Sequence, residues 1–500
     1  MGKSLMIQGT ASDSGKSILV AGLCRVLHQD GLKVMPFKSQ NMALNSFITL
    51  KGDEMGRAQV FQAEAAGIEP DVRMNPVLLK PTSDRKSQVI FNGKVLCDMD
   101  AVEYHEFKPQ LVEKISELYQ ELLQENDVII LEGAGSPAEI NLNSRDIANM
   151  GMAKIADAPV LLVADIDKGG VFASIYGTIH LLKPEERARI KGIIINKFRG
   201  DIALLDPGLK MIEDLTGVPV VGVIPYAQLN IEDEDSVALS KVNRLYNPQK
   251  ALDIAVVALS KISNFTDFNS LHMEPDVSVR YVFPGDQLGS PDILILPGSK
   301  NTLEDILYLK KAGLDHEIRR VHHEGKMIFG ICGGFQLLGN MLHDPAQVES
   351  VHGSLEGLGL LNVETFFETE KVTTRVTAQI GDDQVSGYEI HMGKTINHEA
   401  RAFAKITAAN GITTERLDGA ISQDRRVIGT YLHGIFDNSH WRRKLLNQAR
   451  SARGLSEIQE VTIPYHEYKS QQYDKLADLL RENLDIERIY RIINQEESER

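Results

Sequence analysis

The strongest chemical signal in the chain is Cys332. It lies between Gly330 and Gly334 in the pattern G-x-C-x-G, after the apolar run Met327-Ile328-Phe329 and before a helix-like run from Phe335 to Leu342. This spacing predicts a nucleophile elbow with sulfur in place of serine oxygen. Glycines two residues to either side permit a turn too tight for side chains. The helix N-terminus that follows favours a thiolate, and its backbone N–H groups can hold a developing oxyanion. Leu296-Pro297-Gly298-Ser299-Lys300 ends an earlier apolar run, so Gly298 and Gly333 mark the two oxyanion neighbourhoods. Tyr431-Leu432-His433-Gly434 ends a later strand and offers His433 as the base. A cysteine and a distant histidine joined by the fold form a thiol nucleophile with its general base.

A second chemistry is written near the N-terminus. Leu5 to Gln8 reads as a short buried strand, and Ile18 to His28 as a helix. Between them stands Gly9-Thr10-Ala11-Ser12-Asp13-Ser14-Gly15-Lys16-Ser17, a glycine-bounded loop closing in G-K-S. Strand, loop and helix in that order make a phosphate cradle. Backbone N–H groups and the helix N-terminus surround phosphate oxygens. Lys16 adds a positive charge, and the Ser17 hydroxyl is a Mg2+ ligand. Five residues, rather than the four of Walker A, separate Gly9 from Gly15. Asp127-Val128-Ile129-Ile130-Leu131 ends in Glu132-Gly133-Ala134-Gly135-Ser136, which puts a second Mg2+ ligand, Glu132, at a strand tip. ATP and Mg2+ are the cofactors expected here.

The bulk numbers bound the partners. Five hundred residues predict two to four domains, and a formal charge of -15 argues against a general nucleic-acid or membrane-surface binder. Three scattered cysteines fit neither a disulfide framework nor a zinc site, and they suit a reducing cytoplasm. No long apolar signal segment opens the chain, and no run reaches the length of a membrane span.

The elements that must position these residues are α/β throughout. Val34-Met35-Pro36-Phe37 predicts a second strand, delivering the amide-rich Lys38-Ser39-Gln40-Asn41-Met42-Ala43-Leu44-Asn45-Ser46. Helical patterns cover Glu54 to Ala66 and Pro109 to Gln124, and Asn92-Gly93 predicts a hairpin turn. Runs at Val160–Ala164, Ile193–Ile195 and Val218–Val223 continue a doubly wound parallel sheet. The acidic run Ile231 to Asp235 reads as a solvated loop, and Asn247-Pro248 lies in a polar linker. A second doubly wound unit begins at Asp253-Ile254-Ala255-Val256-Val257-Ala258, and Val427 to Tyr431 is its last strand. The expected organisation is a nucleotide domain over 1–230, a linker over 231–250, a thiol-bearing domain over 251–443 and a helical extension over 444–500.

The two sites make sense together. A thiol that attacks the glutamine side-chain amide releases ammonia. A carboxylate resists ammonia until phosphoryl transfer from ATP turns its oxygen into a leaving group. The combination is ATP- and glutamine-dependent amidation of a carboxylate.

The pairing of the Gly9–Ser17 loop with Cys332 and His433 resembles the cobyric acid synthases of cobalamin biosynthesis. Their N-terminal domain is similar to dethiobiotin synthetase, which shares the longer phosphate loop and the E-G-A-G segment at Glu132–Gly135. Their C-terminal domain is a flavodoxin-like glutamine amidotransferase of class I type. Ser39 to Ser46 and Ile262-Ser263-Asn264-Phe265-Thr266-Asp267-Phe268 are characteristic of that family. The resemblance spans essentially the whole chain. It implies amidation of carboxylates b, d, e and g of adenosylcobyrinic acid a,c-diamide, with Cys332 as nucleophile, His433 as base, and Gly9, Thr10, Asp13, Ser14, Gly15, Lys16 and Ser17 on the nucleotide. The implied partners are glutamine and a corrinoid polycarboxylate.

Two departures stand out. The a,c-diamide synthases carry K-x-G-P-D-Y after the second strand, where this chain has Lys38-Ser39-Gln40-Asn41-Met42 and no acidic residue. Many glutaminases place Glu two residues after the base, where this chain has Ile435, which leaves Glu389 and His391 as unranked candidates to orient His433. The rival readings are an enzyme of the same build acting on another acid, such as cobyrinic acid or a cell-wall precursor; a partition-type ATPase switch; and a dead glutaminase. The partition ATPases carry an extra Lys early in the loop, where Gly9-Thr10 stands here, and the joint presence of Cys332 and His433 argues against a dead site.

Overall fold

The computed structural model describes residues 2–81, 86–227, 229–231 and 243–496. Most of the expected linker and acidic run, 232–242, lies outside them. The chain forms two compact units, 1–43 with 55–232 and 469–500, and 44–54 with 233–468. This differs from the expected division in two places. The stretch 44–54 belongs with the second unit, and the C-terminal extension is split, with only its part from Lys469 onward in the first.

The first unit is built on strands β1 (Lys3–Gly9), β2 (Val34–Phe37), β3 (Val128–Glu132), β4 (Val160–Asp165), β5 (Ile190–Phe198) and β6 (Val220–Pro225). They form one sheet in the order β6-β5-β4-β1-β3-β2, and every pairing is parallel. A parallel sheet is covered on both faces, which explains why these strands read as continuous apolar runs rather than alternating ones. β1 is central, with β3 and β4 on either side, so the loop after β1 opens beside the tips of both. Loops at the carboxyl ends of such strands line the ligand crevice. Helix α1 (Lys16–Gln29) follows that loop, and α2 (Arg57–Ala65) packs in the same core. The Asn92-Gly93 turn joins strands Lys86–Phe91 and Lys94–Asp100, with both turn residues at positive φ, as expected. The helix expected from Pro109 begins earlier, at Ala101, because Asp100 caps it in a capping box with Glu103.

The C-terminal helix that ends at Asn483 closes this core. Tyr473, Leu476, Ala477 and Leu480 join Leu19, Leu23 and Val26 of α1 in one apolar cluster. Arg25 of α1 pairs with Asp474 at 2.8 Å. Leu480 is fully buried. Leu480→Ala should cost about 2–5 kcal/mol of stability through lost burial and the cavity left behind. A chemical-denaturation midpoint followed by fluorescence checks it; an unchanged midpoint would show that the helix does not stabilise the fold.

The second unit contains β7 (Leu252–Val257), β8 (Val277–Val282), β9 (Ile293–Leu296), β10 (Met327–Ile331), β11 (Val363–Ile380), β12 (Asp383–Asn397), β13 (Ala420–Ile421) and β14 (Val427–Thr430). The central sheet runs β8-β7-β9-β10-β14-β13, parallel except for the edge strand β13. Leaving out that edge, the order by appearance is the flavodoxin-like 2-1-3-4-5. β11 and β12 form a long antiparallel hairpin in a separate sheet.

Candidate active site

The phosphate loop leaves β1 at Gly9, where Thr10 N donates to Val163 O at 2.9 Å. Asp13 and Gly15 both have positive φ, 58° and 95°. At Gly15 a side chain would be strained by this backbone and would also meet the Asn196 amide, whose Nδ2 donates to Ser14 O at 2.9 Å. Lys16 is buried, and its Nζ donates to Ala11 O at 2.9 Å and Gly135 O at 3.0 Å. The E-G-A-G segment therefore serves the loop directly. Ser14 Oγ is buried with no partner among the described residues. A buried hydroxyl without a partner is costly, and a phosphate oxygen would satisfy it.

Glu132 is not the solvated carboxylate that a strand tip might hold. It is buried, and Oε1 accepts from Ser17 Oγ at 2.7 Å and from Lys38 Nζ at 2.8 Å, while Oε2 accepts from Gln62 Nε2 at 2.5 Å. A hydroxyl and a carboxylate oxygen side by side form a hard-oxygen donor pair of the type Mg2+ accepts alongside phosphate oxygens and water. The Lys38 ammonium occupies the same carboxylate edge.

In the second unit the elbow is formed as the glycine spacing predicts. Cys332 stands at φ 52° and ψ -110° between β10 and α3 (Gly333–Leu338). A Cβ on Gly334 would lie 1.9 Å from Leu296 O, so the turn has no room for a side chain. Cys332 is almost wholly buried, its N donating to Thr430 O at 2.8 Å and its Sγ lying 3.4 Å from Ile390 O. Gly298 and Ser299 form a short strand paired with Ile262–Ser263. A Cβ on Gly333 would meet Ser299 N at 2.7 Å, and one on Gly298 would meet His433 Cε1 at 3.1 Å. Both oxyanion candidates thus lie beside the cysteine and histidine. Asp305 anchors this turn, accepting from Ser299 Oγ at 2.5 Å and from Ser260 Oγ at 2.6 Å. Burial raises its carboxyl above the ordinary range.

His433 is fully buried after β14, and Cys332 is among the groups that act on its ring charge. Its Nδ1 lies 2.7 Å from Asp267 Oδ2, and Asp267 Oδ1 accepts Gly434 N at 3.0 Å. Asp267 is thus the carboxylate placed to orient His433, a position that the sequence left open. Glu389 is instead engaged by the Arg416 guanidinium, and His391 turns Nδ1 to Gly393 O at 2.7 Å while stacking on Tyr431. Burial alone would depress the His433 pKa, but the charge and hydrogen bond of Asp267, with a smaller contribution from Cys332, push it up to about 10. Burial lowers His391 to about 4, so it is neutral near pH 7. The signal for Asp267 was present in the sequence, inside the Ile262–Phe268 motif, but without a role attached.

Comparison with known proteins follows the same division. A CobQ/CobB/MinD/ParA nucleotide binding domain matches residues 5–236, and a CobB/CobQ-like glutamine amidotransferase domain matches residues 253–441. A cobyric acid synthase of Streptococcus sanguinis (strain SK36) is 64% identical over 99% of this chain and 100% of its own length. Cobyric acid synthases of Limosilactobacillus reuteri (strain DSM 20016) and Yersinia enterocolitica are each 58% identical, covering 99% and 100% of this chain and 99% and 100% of theirs. Among the described residues no helix is long and apolar enough to cross a membrane.

Proposed function

The chain belongs to the cobyric acid synthase family, and from that premise we propose that it amidates carboxylates b, d, e and g of adenosylcobyrinic acid a,c-diamide, with glutamine as nitrogen donor and ATP as activator. It is an amide ligase with a glutamine amidotransferase domain and small-molecule substrates. One observation carries the assignment of its chemistry: a buried His433 whose Nδ1 lies 2.7 Å from Asp267 Oδ2, in the same unit as the elbow cysteine Cys332.

In this reading Cys332 passes its thiol proton to His433 as its sulfur adds to the glutamine side-chain carbonyl carbon, and the N–H groups around Gly298 and Gly333 hold the oxygen as it gains charge. His433 gives its proton to the departing nitrogen, and ammonia leaves. Water then attacks the thioester with His433 as base, which releases glutamate and restores the thiol. Asp267 keeps the proton on Nδ1 and stabilises the imidazolium. Removing one oxyanion donor from such a site typically costs about 3–4 kcal/mol of transition-state stabilisation.

In the nucleotide unit Gly9, Thr10, Asp13, Ser14, Gly15, Lys16 and Ser17 wrap the phosphates. A carboxylate oxygen of the corrinoid attacks the γ-phosphorus, ADP departs, and ammonia displaces phosphate from the acyl carbon. Ser17 and Glu132 would hold Mg2+, which supplies charge neutralisation at the phosphates.

Incubation with ATP, Mg2+, glutamine and the a,c-diamide, followed by mass spectrometry, tests the reading. The expected result is stepwise conversion of each of the four named carboxylates to carboxamide with matching ADP release. Conversion of cobyrinic acid alone would favour the rival acid, and ATP hydrolysis without any acceptor would favour the switch. Lys16→Ala should lower product formation about a hundredfold or more with either glutamine or ammonia, because both routes share phosphoryl transfer. Wild-type turnover in that variant would overturn the phosphate-loop assignment.

A further inference from the structure

Ser46, the last residue of one segment singled out in the sequence, meets Asn264 of the other, Ile262–Phe268, beside the base. Both ends of that meeting lie in the second unit, which takes in 44–54. Within it Glu54 pairs with Lys371 at 2.5 Å, and Thr373 Oγ1 donates to Gly52 O at 2.9 Å. Phe47 packs on Tyr388, whose ring stacks on His433 at 5.1 Å. The segment is thus strapped along the hairpin that flanks the base.

Asn264 sits at the focus of these contacts. It is buried, with φ 53°, a left-handed conformation that asparagine tolerates better than other side chains but that still costs energy. Its Oδ1 accepts Ser46 N at 3.1 Å, and its Nδ2 lies 3.4 Å from His433 Nε2. A main-chain N–H can only donate. The amide oxygen must therefore face Ser46, which aims the amide N–H at the histidine ring. A donor there needs a lone pair opposite, so it matches the tautomer that keeps the proton on Nδ1 beside Asp267.

We propose that Asn264 is a positioning residue of the glutaminase: Ser46 N–H sets the orientation of its amide, and the amide N–H beside His433 Nε2 favours the neutral ring with its proton on Nδ1. The assignment rests on the glutaminase reading of this unit. It gives the Leu44–Glu54 segment a task in the thiol chemistry, although the sequence places it after the second strand of the nucleotide domain. The groups facing His433 from the packed elements are Asp267, Cys332, Tyr388 and His391. Asp267 draws the ring toward the imidazolium, and the Asn264 N–H opposes it. That balance keeps the base able to accept the cysteine proton and then to release it to the leaving nitrogen.

The test is the pH dependence of kcat/KM for glutamate release, with ammonia-dependent amidation measured alongside. Asn264→Asp keeps the size and the acceptor for Ser46 but replaces the N–H donor with negative charge. Its acid limb should move to higher pH by about one unit. Asn264→Gly keeps the left-handed backbone without strain and removes the amide. Its kcat with glutamine should fall about tenfold with KM within about twofold, its acid limb should move the same way, and its ammonia-dependent rate should match wild type. A wild-type profile in both variants, or equal loss with glutamine and ammonia, overturns the assignment. Failure of the parent reading would show in the wild-type chain as absent glutamate release, whereas failure of the Asn264 assignment would show only in the variants.

Discussion

Cys332→Ala should abolish amidation with glutamine and leave amidation with high ammonia close to the wild-type rate. In the proposed reading the sulfur is the atom that bonds to the glutamine carbonyl carbon, and no other thiol is placed to substitute: Cys24 is buried in the core of the first unit, and Cys97 lies on a strand there. Loss of the nucleophile from a hydrolytic triad typically costs about a millionfold, so the residual rate should be undetectable against background. The ammonia route needs only the activated acceptor, and the proposed function assigns that chemistry to Lys16 and its loop. The substitution removes a sulfur from an elbow whose shape is set by its glycines and by the Cys332 N–H to Thr430 O bond, so the fold should persist. The measurement is product formation with each nitrogen source, with glutamate release followed in parallel. Equal loss with both sources would show that Cys332 has a structural task instead of a dedicated nucleophilic one.

The parts legible from sequence share a physical reason: their signals are local. The elbow is encoded by glycine spacing because a β-carbon at Gly334 would collide with Leu296 O. The phosphate loop is encoded by a strand, two glycines and a G-K-S ending, and the Asn92-Gly93 hairpin by two residues that tolerate positive φ. The buried parallel strands announce themselves as unbroken apolar runs. What stayed hidden depends on the tertiary arrangement. Asp267 reaches His433 across 166 positions of sequence, from a 3-10 segment (Phe265–Met273) with no spacing rule that relates it to the base. Glu389 looked equally suitable by residue type, and only the fold shows it committed to Arg416. The same holds for 44–54, which its place in the sequence assigns to the nucleotide domain. Its place in the second unit depends on Lys371, Thr373 and Tyr388, more than 300 residues downstream.

Asp267→Asn should lower glutamine-dependent turnover by about 10^3- to 10^4-fold while sparing ammonia-dependent amidation. An aspartate beside the base does two things in such a site: it fixes the tautomer and it stabilises the imidazolium formed in each tetrahedral step. The asparagine retains the shape but can present its N–H to Nδ1, which would drive the ring proton to Nε2 and leave no acceptor for the cysteine proton. The pH dependence separates this from simple damage. In the wild-type chain Asp267 is the main influence raising the His433 pKa toward about 10, against the depression caused by burial. Without the carboxylate charge, burial prevails and the pKa falls, so the residual activity should have its acid limb at lower pH than wild type. This is the opposite direction from Asn264→Asp, in which a negative charge is added on the other ring edge. A double variant carrying both substitutions would then return the limb toward its wild-type position without restoring the rate, because the charge would be back but on the wrong nitrogen. An Asp267→Asn enzyme with wild-type glutamate release and an unmoved limb would remove Asp267 from the chemistry.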